Sequence, residues 1–369
     1  MRIAVMGGGS IGRRHIRNLK ALGRSDLVVY DPDSSVCRAI AAEEQIPAYT
    51  SLDALWELQP QVALIASPTQ THLDLSLSSA RHGCHLFIEK PLSHSLDGVD
   101  NFAAEVARRK LVTMVACNMR FDPGPALVKD LIAKEAAGAV ISARIQTGSY
   151  LPRWRPWQDY RKSYSSSTVW GGAILDCIHE IDLAIWYFGP ARVIGAAHIP
   201  ATAIGLETDG LAEIILRHDP GILCSVHLNF VQRDYCRTCQ IIGSEGTLYW
   251  DFKEREVRLH GSDGELKHAY PEPDGWQMNQ MYLDELKHFL GAVEANFQTV
   301  NPVARQRDQV VTPERRIQQQ FFQRLFNFSH QYASCRVACR ADSGYYLKSG
   351  ILMRLSLRRS ARSTARSSS

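Results

Sequence analysis

The first 23 residues constrain the fold of this chain more than any other stretch. A short apolar run at 3–6, Ile-Ala-Val-Met, is typical of a strand that is buried on both faces. Three glycines follow in the spacing G-x-G-x-x-G, and apolar residues at helical spacing come next. In such a turn Gly7 allows the tight bend, Gly9 lets a phosphate approach, and Gly12 lets the helix pack on the strand. The stretch therefore predicts a pyrophosphate, and hence a dinucleotide, at the helix N-terminus.

A second strand supports the dinucleotide prediction. The predicted strand at 27–30 ends in Asp31, at the distance where an acid binds the ribose hydroxyls of adenosine. No arginine follows Asp31 directly. This favours NAD over NADP, because an acid repels a 2′-phosphate. Arg13 and Arg14 leave NADP open.

Strands and helices alternate over the N-terminal third of the chain. Further strands are predicted at 62–66, 85–88 and 112–116, and helices at 34–46, 51–58, 72–82 and 95–109. This alternation indicates an α/β fold with a doubly wound parallel (Rossmann) sheet, whose ligands lie at the carboxyl ends of the strands. The residues that follow predicted strands, and are expected at that edge, are Gly7, Asp31, Ser67, Glu89 and Asn118.

The pattern changes near residue 121, where strands begin to dominate. They are predicted at 139–150, 192–199, 209–217, 222–231, 236–242, 246–250 and 255–260, with helices at 126–136, 171–188 and 276–296. Alternating polar and apolar residues at 213–216 and 225–228 are typical of an antiparallel sheet with one covered face. We therefore predict a dinucleotide-binding domain at 1–121 and an α+β substrate domain at 122–311 with a large, mostly antiparallel open sheet.

Length and composition favour a soluble protein of two domains. The chain of 369 residues is too long for one typical core, and its 45% apolar and 22% charged residues are those of globular proteins. No apolar run could span a bilayer and no signal segment precedes the first strand, so we expect a cytoplasmic protein without a membrane partner. The nine cysteines are then expected to be reduced, and Cys236-x-x-Cys239 to be strand residues.

The net charge of +4 conceals an uneven distribution. Residues 301–369 hold thirteen Lys and Arg against three Asp and Glu, so the rest of the chain is acidic on balance. The basic character belongs to the C-terminal tail. It therefore does not indicate that the folded part binds nucleic acid.

Lys90 is the first candidate for chemistry. It stands between Glu89 and Pro91 at the end of a predicted sheet strand, and the residue before a proline is held extended. Its side chain is therefore expected in the ligand crevice, where a lysine can bind a substrate hydroxyl or relay its proton. A surface lysine paired with Glu89 is an alternative that the local sequence leaves equally open.

Asp176 and His179 are the second candidates. They lie three residues apart on the predicted helix 171–188, so both side chains are expected on one face. With Asp182 they interrupt an otherwise apolar helix, and buried polar groups need partners or a purpose. A histidine with an acid beside it is a competent general base for an alcohol. A hydrogen-bonded structural histidine is the competing interpretation, and the acid at same-face spacing favours the functional one.

The loop at 151–168 is rich in aromatic and basic residues. They include Arg153, Trp154, Arg155, Trp157, Tyr160 and Arg161. These side chains suit a polyhydroxylated or phosphorylated ligand through stacking, cation–π contact and charge, and they would equally suit an interface patch. No His/Cys cluster, pair of carboxylates or serine nucleophile motif points to a metal site or to another class of catalysis.

Several segments together resemble one protein family. They are GGGSIGRRHIRNL at the start, SPTQTH, EKPLS, NMRF at 118–121, the GG…DCIHEIDLAIWYFG segment and GSEGTLYWDF at 243–252. In this order over about residues 1–300, they resemble the glucose–fructose oxidoreductase/inositol dehydrogenase (Gfo/Idh/MocA) family. The resemblance implies a Rossmann domain followed by an α/β domain whose open sheet forms the interface of a homo-oligomer, a dimer or a tetramer. It also implies NAD(P)-dependent oxidation or reduction of a carbohydrate-like alcohol or ketone.

The resemblance further implies roles for individual residues. Its cofactor contacts correspond to Gly7, Gly9, Ser10, Ile11, Gly12, Asp31, Ser67, Thr69, His72, Glu89, Lys90 and Asn118. Its catalytic residues correspond to Lys90, His179 and Asp176, which also contact substrate together with Arg120, Trp157, Tyr160 and Arg161. The expected reaction is hydride transfer on a sugar, cyclitol or nucleotide sugar, with His179 or Lys90 handling the hydroxyl proton and Asp176 positioning His179. The loop resembles members associated with surface-sugar pathways. The alternative function is a catalytically silent dinucleotide-binding regulator, which would need neither Lys90 nor His179.

Two features depart from the family pattern. Many members have D-x-x-x-H where Asp176 and His179 have D-x-x-H, although both spacings keep one helical face. After 299–311 the chain lacks the helix and strand that usually complete the fold and runs into Gln-rich and then Arg/Ser-rich sequence. We therefore hypothesise that residues 312–369 are a frameshifted or otherwise replaced terminus, which resequencing the 3′ end of the gene would test.

Overall fold

The computed structural model describes residues 1–303. The predicted basic tail at 312–369, and with it the hypothesis of a replaced terminus, lies outside the described residues. Two β-sheets organise the described part, as the alternation of strands and helices predicted. No helix within residues 1–303 combines the length and apolar character that crossing a membrane requires.

A parallel sheet of six strands occupies the N-terminal part of the described chain. Its strands are β1 (Ile3–Met6), β2 (Leu27–Tyr30), β3 (Ala48–Tyr49), β4 (Val62–Ile65), β5 (His85–Glu89) and β6 (Thr113–Ala116). They are connected by α1 (Ser10–Ala21), α2 (Ser34–Glu44), α3 (Leu52–Trp56), α4 (His72–Arg81) and α5 (Val99–Arg109). The strand order is β3-β2-β1-β4-β5-β6. The winding reverses between β1 and β4, and doubly wound sheets bind ligands at such a switch point.

Apolar side chains cover both faces of this first sheet. Ile3 and Val5 of β1 pack with Ile16 and Leu19 of α1 on one face. On the other face, Met6 and its neighbours pack with apolar residues of α4 and α5. All four residues of β1 are fully buried. This two-sided burial explains why the strand reads as a continuous apolar run rather than an alternating one.

A second sheet of eight strands follows within the described residues. Its strands are β7 (Val140–Tyr150), β8 (Ala191–Pro200), β9 (Asp209–His218), β10 (Leu223–Asn229), β11 (Val231–Gly243), β12 (Thr247–Asp251), β13 (Glu256–His260) and β14 (Leu266–Pro271). Their order is β14-β13-β12-β11-β7-β10-β9-β8, and only the pair of β10 with β7 is parallel. Cys236 and Cys239 lie within β11, as predicted.

Helices cover one face of the second sheet. They are α6 (Pro123–Ala133), α7 (Ala173–Asp176) and α8 (Ile178–Phe188). Ile214 and Leu216 of β9 point into the core that these helices share with the sheet, whereas Ile215 between them is exposed. The predicted sheet with one covered face is therefore confirmed.

The chain returns to the first sheet after the second one is complete. Leu286, Phe289 and neighbouring residues of α9 (Asn279–Ala295) join the core of the first sheet. Further along, the Thr299 hydroxyl donates to Thr113 O of β6 at 2.7 Å, and Asn301 O accepts the Val115 N–H at 3.0 Å. The predicted domain boundary at 121 stays a prediction, since part of the segment assigned to the second domain packs on the first sheet.

Some local predictions were wrong. The predicted helix at 171–188 is divided between α7 and α8, because Cys177 has φ −95° and ψ 33° and ends the first of them. Strand β14 was not predicted, since its side chains are mostly exposed and carry no apolar alternation. Helix α6 begins at Pro123 rather than at 126, because the Asp122 side chain caps it. Short 3-10 helices lie at Thr69–Thr71, Asn118–Phe121, Leu151–Arg153, Tyr160–Lys162, Tyr164–Ser166 and Thr202–Ile204.

Candidate active site

The glycine turn after β1 has the geometry that a dinucleotide site requires. Gly7 has φ +109° and donates its N–H to Tyr30 O at 2.8 Å. A Cβ on Gly12 would lie 2.0 Å from Gly7 O, so glycine is needed for α1 to pack this closely. A Cβ on Gly9 would meet nothing within 4 Å. No side chain caps the start of α1, where Ser10 and Ile11 form the first turn, so its N–H groups fit a dinucleotide pyrophosphate.

Asp31 is held beside this turn at the end of β2. Its Oδ2 accepts the Gly8 N–H at 2.8 Å, and its Oδ1 accepts the Asp33 N–H at 2.9 Å. A Cβ on Gly8 would collide with the side chains of Val36 and Ile40 of α2. Sequence reasoning missed this requirement for Gly8, because the G-x-G-x-x-G spacing leaves the position open. The fixed carboxylate suits the ribose hydroxyls of a dinucleotide, which is the role predicted for Asp31.

Ser67, Thr69 and His72 follow β4 at the same edge of the sheet. The Thr71 hydroxyl donates to Ser67 Oγ at 2.7 Å, and Thr69 begins a 3-10 helix. His72 is buried, with one ring nitrogen 2.8 Å from Pro91 O and the other 2.8 Å from Ser67 O. Burial lowers the pKa of its imidazole. Both ring nitrogens of His72 therefore bind backbone oxygens and join the loop after β4 to the loop after β5. Ser67 and Thr69 remain the candidates for a cofactor contact in this loop.

Glu89 ends β5 and bonds to His15 of α1. His15 Nε2 lies 2.6 Å from Glu89 Oε1, and the His15 ring is buried against the rings of Phe87 and Tyr282. Burial acts to raise the pKa of Glu89, but the hydrogen bond and charge of His15 outweigh it and lower the pKa. Glu89 is therefore a fixed carboxylate beside Lys90. Sequence reasoning missed His15, whose signal was a polar residue on the buried side of a predicted helix.

Lys90 connects the first sheet to the helices that cover the second. Its Nζ donates a hydrogen bond to the backbone oxygen of Asp176 at 2.9 Å. Asp176 is the last residue of α7, and its carbonyl oxygen therefore lies at a helix end. The ammonium group satisfies that oxygen. The surface alternative for Lys90, an ion pair with Glu89, is not the arrangement observed.

The Asp176 carboxyl group points to the loop rather than to His179. It lies close to Tyr164 and Ser165, whose side chains act to lower its pKa. Burial raises the pKa of Asp176, while Lys90 and these side chains act in the opposite direction. Its Oδ2 has no hydrogen-bond partner of good geometry among residues 1–303. The prediction that Asp176 and His179 share the face of one helix is wrong, because the helix is broken between them.

His179 lies in the first turn of α8 and is partly buried. Burial lowers the pKa of its imidazole well below the ordinary value, and the positive charges of Lys90 and Arg237 lower it further. Its Nδ1 has no hydrogen-bond partner in the described part of the chain. The imidazole is therefore uncharged at neutral pH, which is the form that can accept a proton from a hydroxyl group.

Glu180 and Arg237 form an ion pair next to His179. Glu180 is fully buried, and its Oε1 lies 2.8 Å from Arg237 Nε. Burial raises the pKa of Glu180, whereas it acts to lower the pKa of Arg237 and is outweighed there by Glu180. Sequence reasoning missed both residues. Arg237 comes from β11, where it pairs with Thr147 of β7 across the second sheet, and no local pattern reveals that register.

Two predicted site residues follow β6. Asn118 is buried, is hydrogen-bonded to the Tyr282 hydroxyl, and keeps an Oδ1 atom without a partner in residues 1–303. Arg120 binds Asp182 through two hydrogen bonds of 2.8 and 2.6 Å and donates a third to Val300 O at 2.9 Å. Asn118 Oδ1 is thus available to bind a cofactor. The guanidinium group of Arg120 is occupied by Asp182 and Val300 O, which gives no support to its predicted contact with substrate.

The loop residues predicted to bind substrate have different surroundings. Trp157 is 83% exposed. The Tyr160 hydroxyl donates to Ile204 O at 2.9 Å, and Arg161 forms an ion pair with Asp159. None of these contacts joins Trp157, Tyr160 or Arg161 to Lys90, and their predicted contact with substrate stays a prediction. Tyr164 of the same loop interacts with Asp176.

The assembled site has the parts for proton transfer at an alcohol or ketone. Lys90 offers a cationic donor, and His179 an uncharged acceptor, near the carboxyl edge of a dinucleotide-binding sheet. Within residues 1–303, no group of three or more His, Cys, Asp or Glu side chains is arranged to hold a metal ion. The residues present fit NAD at the glycine turn.

Comparison with known proteins identifies the family. A model described as "Oxidoreductase family, NAD-binding Rossmann fold" matches residues 1–117, and a model described as "GFO/IDH/MocA C-terminal domain" matches residues 126–249. The chain belongs to the Gfo/Idh/MocA family. The resemblance drawn from the motifs is thereby confirmed, and with it an NAD-dependent oxidoreductase.

Relatives of this Gfo/Idh/MocA member cover most of its length. The myo-inositol 2-dehydrogenase of Thermotoga maritima is 29% identical over 308 residues, 80% of this chain and 89% of that protein. A levoglucosan dehydrogenase in complex with NADH and levoglucosan is similar with a TM-score of 0.73 at 19% identity, over 82% of this chain and 92% of that one. A UDP-N-acetylglucosamine 3-dehydrogenase from Acidithiobacillus ferrooxidans has a TM-score of 0.69 at 21% identity, over 84% and 94%. The two structural likenesses show a shared fold.

Proposed function

We propose that this Gfo/Idh/MocA member transfers hydride between NAD and an alcohol or ketone carbon of a sugar, cyclitol or nucleotide sugar. The observation that carries the proposal is the 2.9 Å hydrogen bond from Lys90 Nζ to Asp176 O. This bond joins the carboxyl edge of the NAD-binding sheet to the elements that carry Asp176 and His179. The similarity to a myo-inositol 2-dehydrogenase supports a polyhydroxylated substrate.

The proposed reaction divides its work between Lys90 and His179. When bound, NAD would accept the hydride during oxidation of the substrate, and NADH would supply it during reduction. In oxidation, His179 takes the hydroxyl proton, since its imidazole is held uncharged by burial and by neighbouring cations. Lys90 donates a hydrogen bond to the same oxygen and stabilises the negative charge that develops on it. In reduction, His179 returns the proton to the substrate oxygen while Lys90 keeps its hydrogen bond to that oxygen.

Asp176 has an indirect part in this proposal. Its backbone oxygen holds the Lys90 ammonium group, and its carboxyl group lies close to Tyr164. Asp176 therefore positions Lys90 and the loop, in place of the predicted role of orienting His179.

The roles of Lys90 and His179 are tested by turnover of a panel of cyclitols, sugars and nucleotide sugars, followed by nicotinamide absorbance. Lys90→Ala and His179→Ala are each expected to lower kcat by about 10²–10⁴-fold, the usual contribution of a positioned acid or base. NAD binding, measured by calorimetry, should persist because neither residue belongs to the glycine turn. The matched controls are Lys134→Ala, which removes an exposed helix ion pair, and His268→Ala on β14.

The outcomes also separate an enzyme from a silent regulator. The comparisons give no support to the regulator. Near-normal turnover in both variants would overturn the assignment of Lys90 and His179. A wild-type protein that binds NADH tightly and turns over no member of the panel would favour the regulator instead.

We also propose a cytoplasmic homo-oligomer assembled through the second sheet. Ile199, Ile215 and Leu223 are 59%, 41% and 42% exposed on its strands and offer apolar side chains that a second copy could cover. The cysteines of the described part form no disulfide, which suits a reducing compartment. Light scattering on the purified protein and on Ile215→Glu tests the assembly, and a monomeric wild-type protein would contradict it.

A further inference from the structure

Three arginines on the loop after β7 and on β11 lie over tyrosine rings and form no ion pair in the described part of the chain. Arg233 of β11 lies 4.0 Å above the ring centroid of Tyr150, and Arg153 lies 5.7 Å from the same centroid. Arg155 lies 5.7 Å from the ring centroid of Tyr164. Among residues 1–303, none of the three forms an ion pair. Two guanidinium groups thus share one aromatic ring with no carboxylate between them.

A chain of contacts ties Arg155 to the reacting groups. Arg155 lies 5.7 Å from the ring centroid of Tyr164, Tyr164 interacts electrostatically with the Asp176 carboxyl group, and Asp176 O accepts a hydrogen bond from Lys90 Nζ. The positive charge of Arg155 is close enough to act on the pKa of both Tyr164 and Asp176, where it partly offsets the effect of burial. Arg155 is therefore one side chain away from Asp176, on the loop that borders the site.

Two acidic residues that lie close to these arginines in the sequence pair with other cations. Asp159 pairs with Arg161 on the same loop, and Asp234, which follows Arg233, pairs with Lys253. The three arginines are thus left with an excess of positive charge. A guanidinium group presents a planar fork of N–H donors that matches a phosphate or carboxylate with two hydrogen bonds. An anion placed among these arginines would satisfy those donors and relieve the repulsion between the charges.

We propose that the substrate carries an anionic group, a phosphate, diphosphate or carboxylate, that is bound by Arg155 with Arg153 and Arg233. This inference rests on the proposed function, since it places the reacting carbinol of the same molecule at Lys90 and His179. It separates two interpretations that the sequence left open for the loop, a ligand site and an interface patch. It also adds Arg233, which comes from another part of the sequence and was not a candidate before.

The test compares substrates that share a ring and differ in charge. Initial rates with saturating NAD are measured for N-acetylglucosamine against UDP-N-acetylglucosamine, and for glucose against glucose 6-phosphate and glucuronate. At least one anionic member is expected to have a kcat/KM about tenfold or more above its neutral partner, the gain of a charge-assisted hydrogen bond. The three anionic substrates carry a diphosphate, a monophosphate and a carboxylate, so their rates distinguish these groups. Equal values for neutral and anionic partners would overturn the proposal.

Arginine variants give the second readout. Arg155→Gln is expected to raise KM for the preferred anionic substrate about tenfold and to leave KM for NAD unchanged. The matched control is Arg258→Gln, because Arg258 on β13 also lies over a tyrosine ring, that of Tyr249 on β12, and its only ion pair among the described residues is the one with Glu256. Thermal melting verifies that both variants fold. An unchanged KM in Arg155→Gln would overturn the proposal.

Binding to the NADH-saturated protein distinguishes failure of this inference from failure of the proposed function. NADH occupies the glycine turn, so calorimetric titration with pyrophosphate, glucuronate or UDP-N-acetylglucosamine reports a second anion site. Binding that is lost in Arg155→Gln and kept in Arg258→Gln supports that site even if no compound of the panel is turned over. Turnover of neutral polyols without any Arg155-dependent anion binding would retain the proposed function and remove the inference.

Discussion

Positive charge around His179 is the main electrostatic feature of the site at the scale of single residues. Lys90 and Arg237 both act on the pKa of its imidazole in the same direction as burial. Glu180 forms an ion pair with Arg237, and Lys90 Nζ donates its hydrogen bond to an uncharged carbonyl oxygen. The imidazolium form is therefore disfavoured. A base of this kind is uncharged when the substrate arrives and releases its proton readily afterwards.

We expect the pH profile of alcohol oxidation to report this arrangement. His179 must be uncharged to accept a proton, and its pKa lies well below the ordinary 6.5. kcat/KM should therefore remain level as the pH falls to 6.5 and decline only below it. Arg237→Gln removes one cation, so it should raise the pKa of His179 and move the decline to higher pH. Arg237→Lys keeps the charge and should leave the profile in place.

Initial rates across the pH range measure this effect. A decline of kcat/KM that already begins above pH 6.5 in the wild-type protein would contradict this arrangement. A decline at the same pH in both Arg237 variants would contradict the electrostatic role of Arg237.

The sequence predicted some site residues and not others for a physical reason. Lys90 and Asp31 were predictable because parallel strands place their carboxyl ends on one edge, so a local pattern fixes where the next residue lies. Arg237 reaches the site through the pairing of β11 with β7, between residues far apart in the chain. Tyr164 reaches it through a loop. Such long-range placements leave no periodic signal in the sequence.

The break between α7 and α8 is the decisive feature at the scale of elements. Apolar residues continue at helical spacing from Ile174 to Leu183, so no local pattern indicates that the helix stops at Cys177. Because α7 ends there, the Asp176 carbonyl oxygen has no helical N–H partner and accepts Lys90 Nζ instead. The irregular backbone thus supplies the acceptor that orients the lysine.

The cap of α6 gives a prediction at this scale. Asp122 is buried, and burial raises its pKa to about 6. The unfolded carboxyl group loses its proton near the ordinary 3.8, so Asp122 reduces stability progressively as the pH rises from about 4 to about 6. Asp122→Asn keeps a capping oxygen and avoids the buried charge. We expect it to gain up to about 3 kcal/mol relative to the wild-type protein between pH 4 and pH 7.

A second helix cap provides the matched control. Asp33 caps α2 through Ser35, and its hydrogen bonds to Ser35 lower the pKa of the exposed Asp33 carboxyl group. Its stabilising effect is present above the ordinary 3.8 and is lost in acid, so Asp33→Asn should lower the melting temperature at pH 7. Denaturant titrations at several pH values measure both variants. A loss of stability at pH 7 in Asp122→Asn would contradict the role of burial.

Arg120 connects distant parts of the described chain at the scale of the whole molecule. It follows β6 of the first sheet, binds Asp182 of α8 through two hydrogen bonds, and donates to Val300 O. The Arg120 and Asp182 side chains are 2% and 7% exposed. One buried ion pair thus fixes the NAD-binding sheet, the helix that carries His179 and the returning chain relative to one another.

Removing one partner of this pair should be more harmful than removing both. Arg120→Met leaves the Asp182 carboxylate buried and unpaired, so we expect a loss of about 3–5 kcal/mol in the free energy of unfolding. The double variant Arg120→Met with Asp182→Leu removes both charges and should recover much of that loss. Denaturant unfolding measures each variant. A double variant as unstable as the sum of the single ones would show that the two side chains act independently.

The return of the chain to the first sheet has a consequence for biosynthesis. A ribosome completes all six strands of that sheet long before it reaches Phe289 of α9 or Asn301 beside β6. Until then, the part of one apolar face that α9 covers is exposed and one sheet edge lacks its neighbour, both of which favour association with other nascent chains. The first sheet therefore remains incompletely packed while the second sheet is translated. Its maturation depends on the length of the polypeptide that follows it as much as on its own residues.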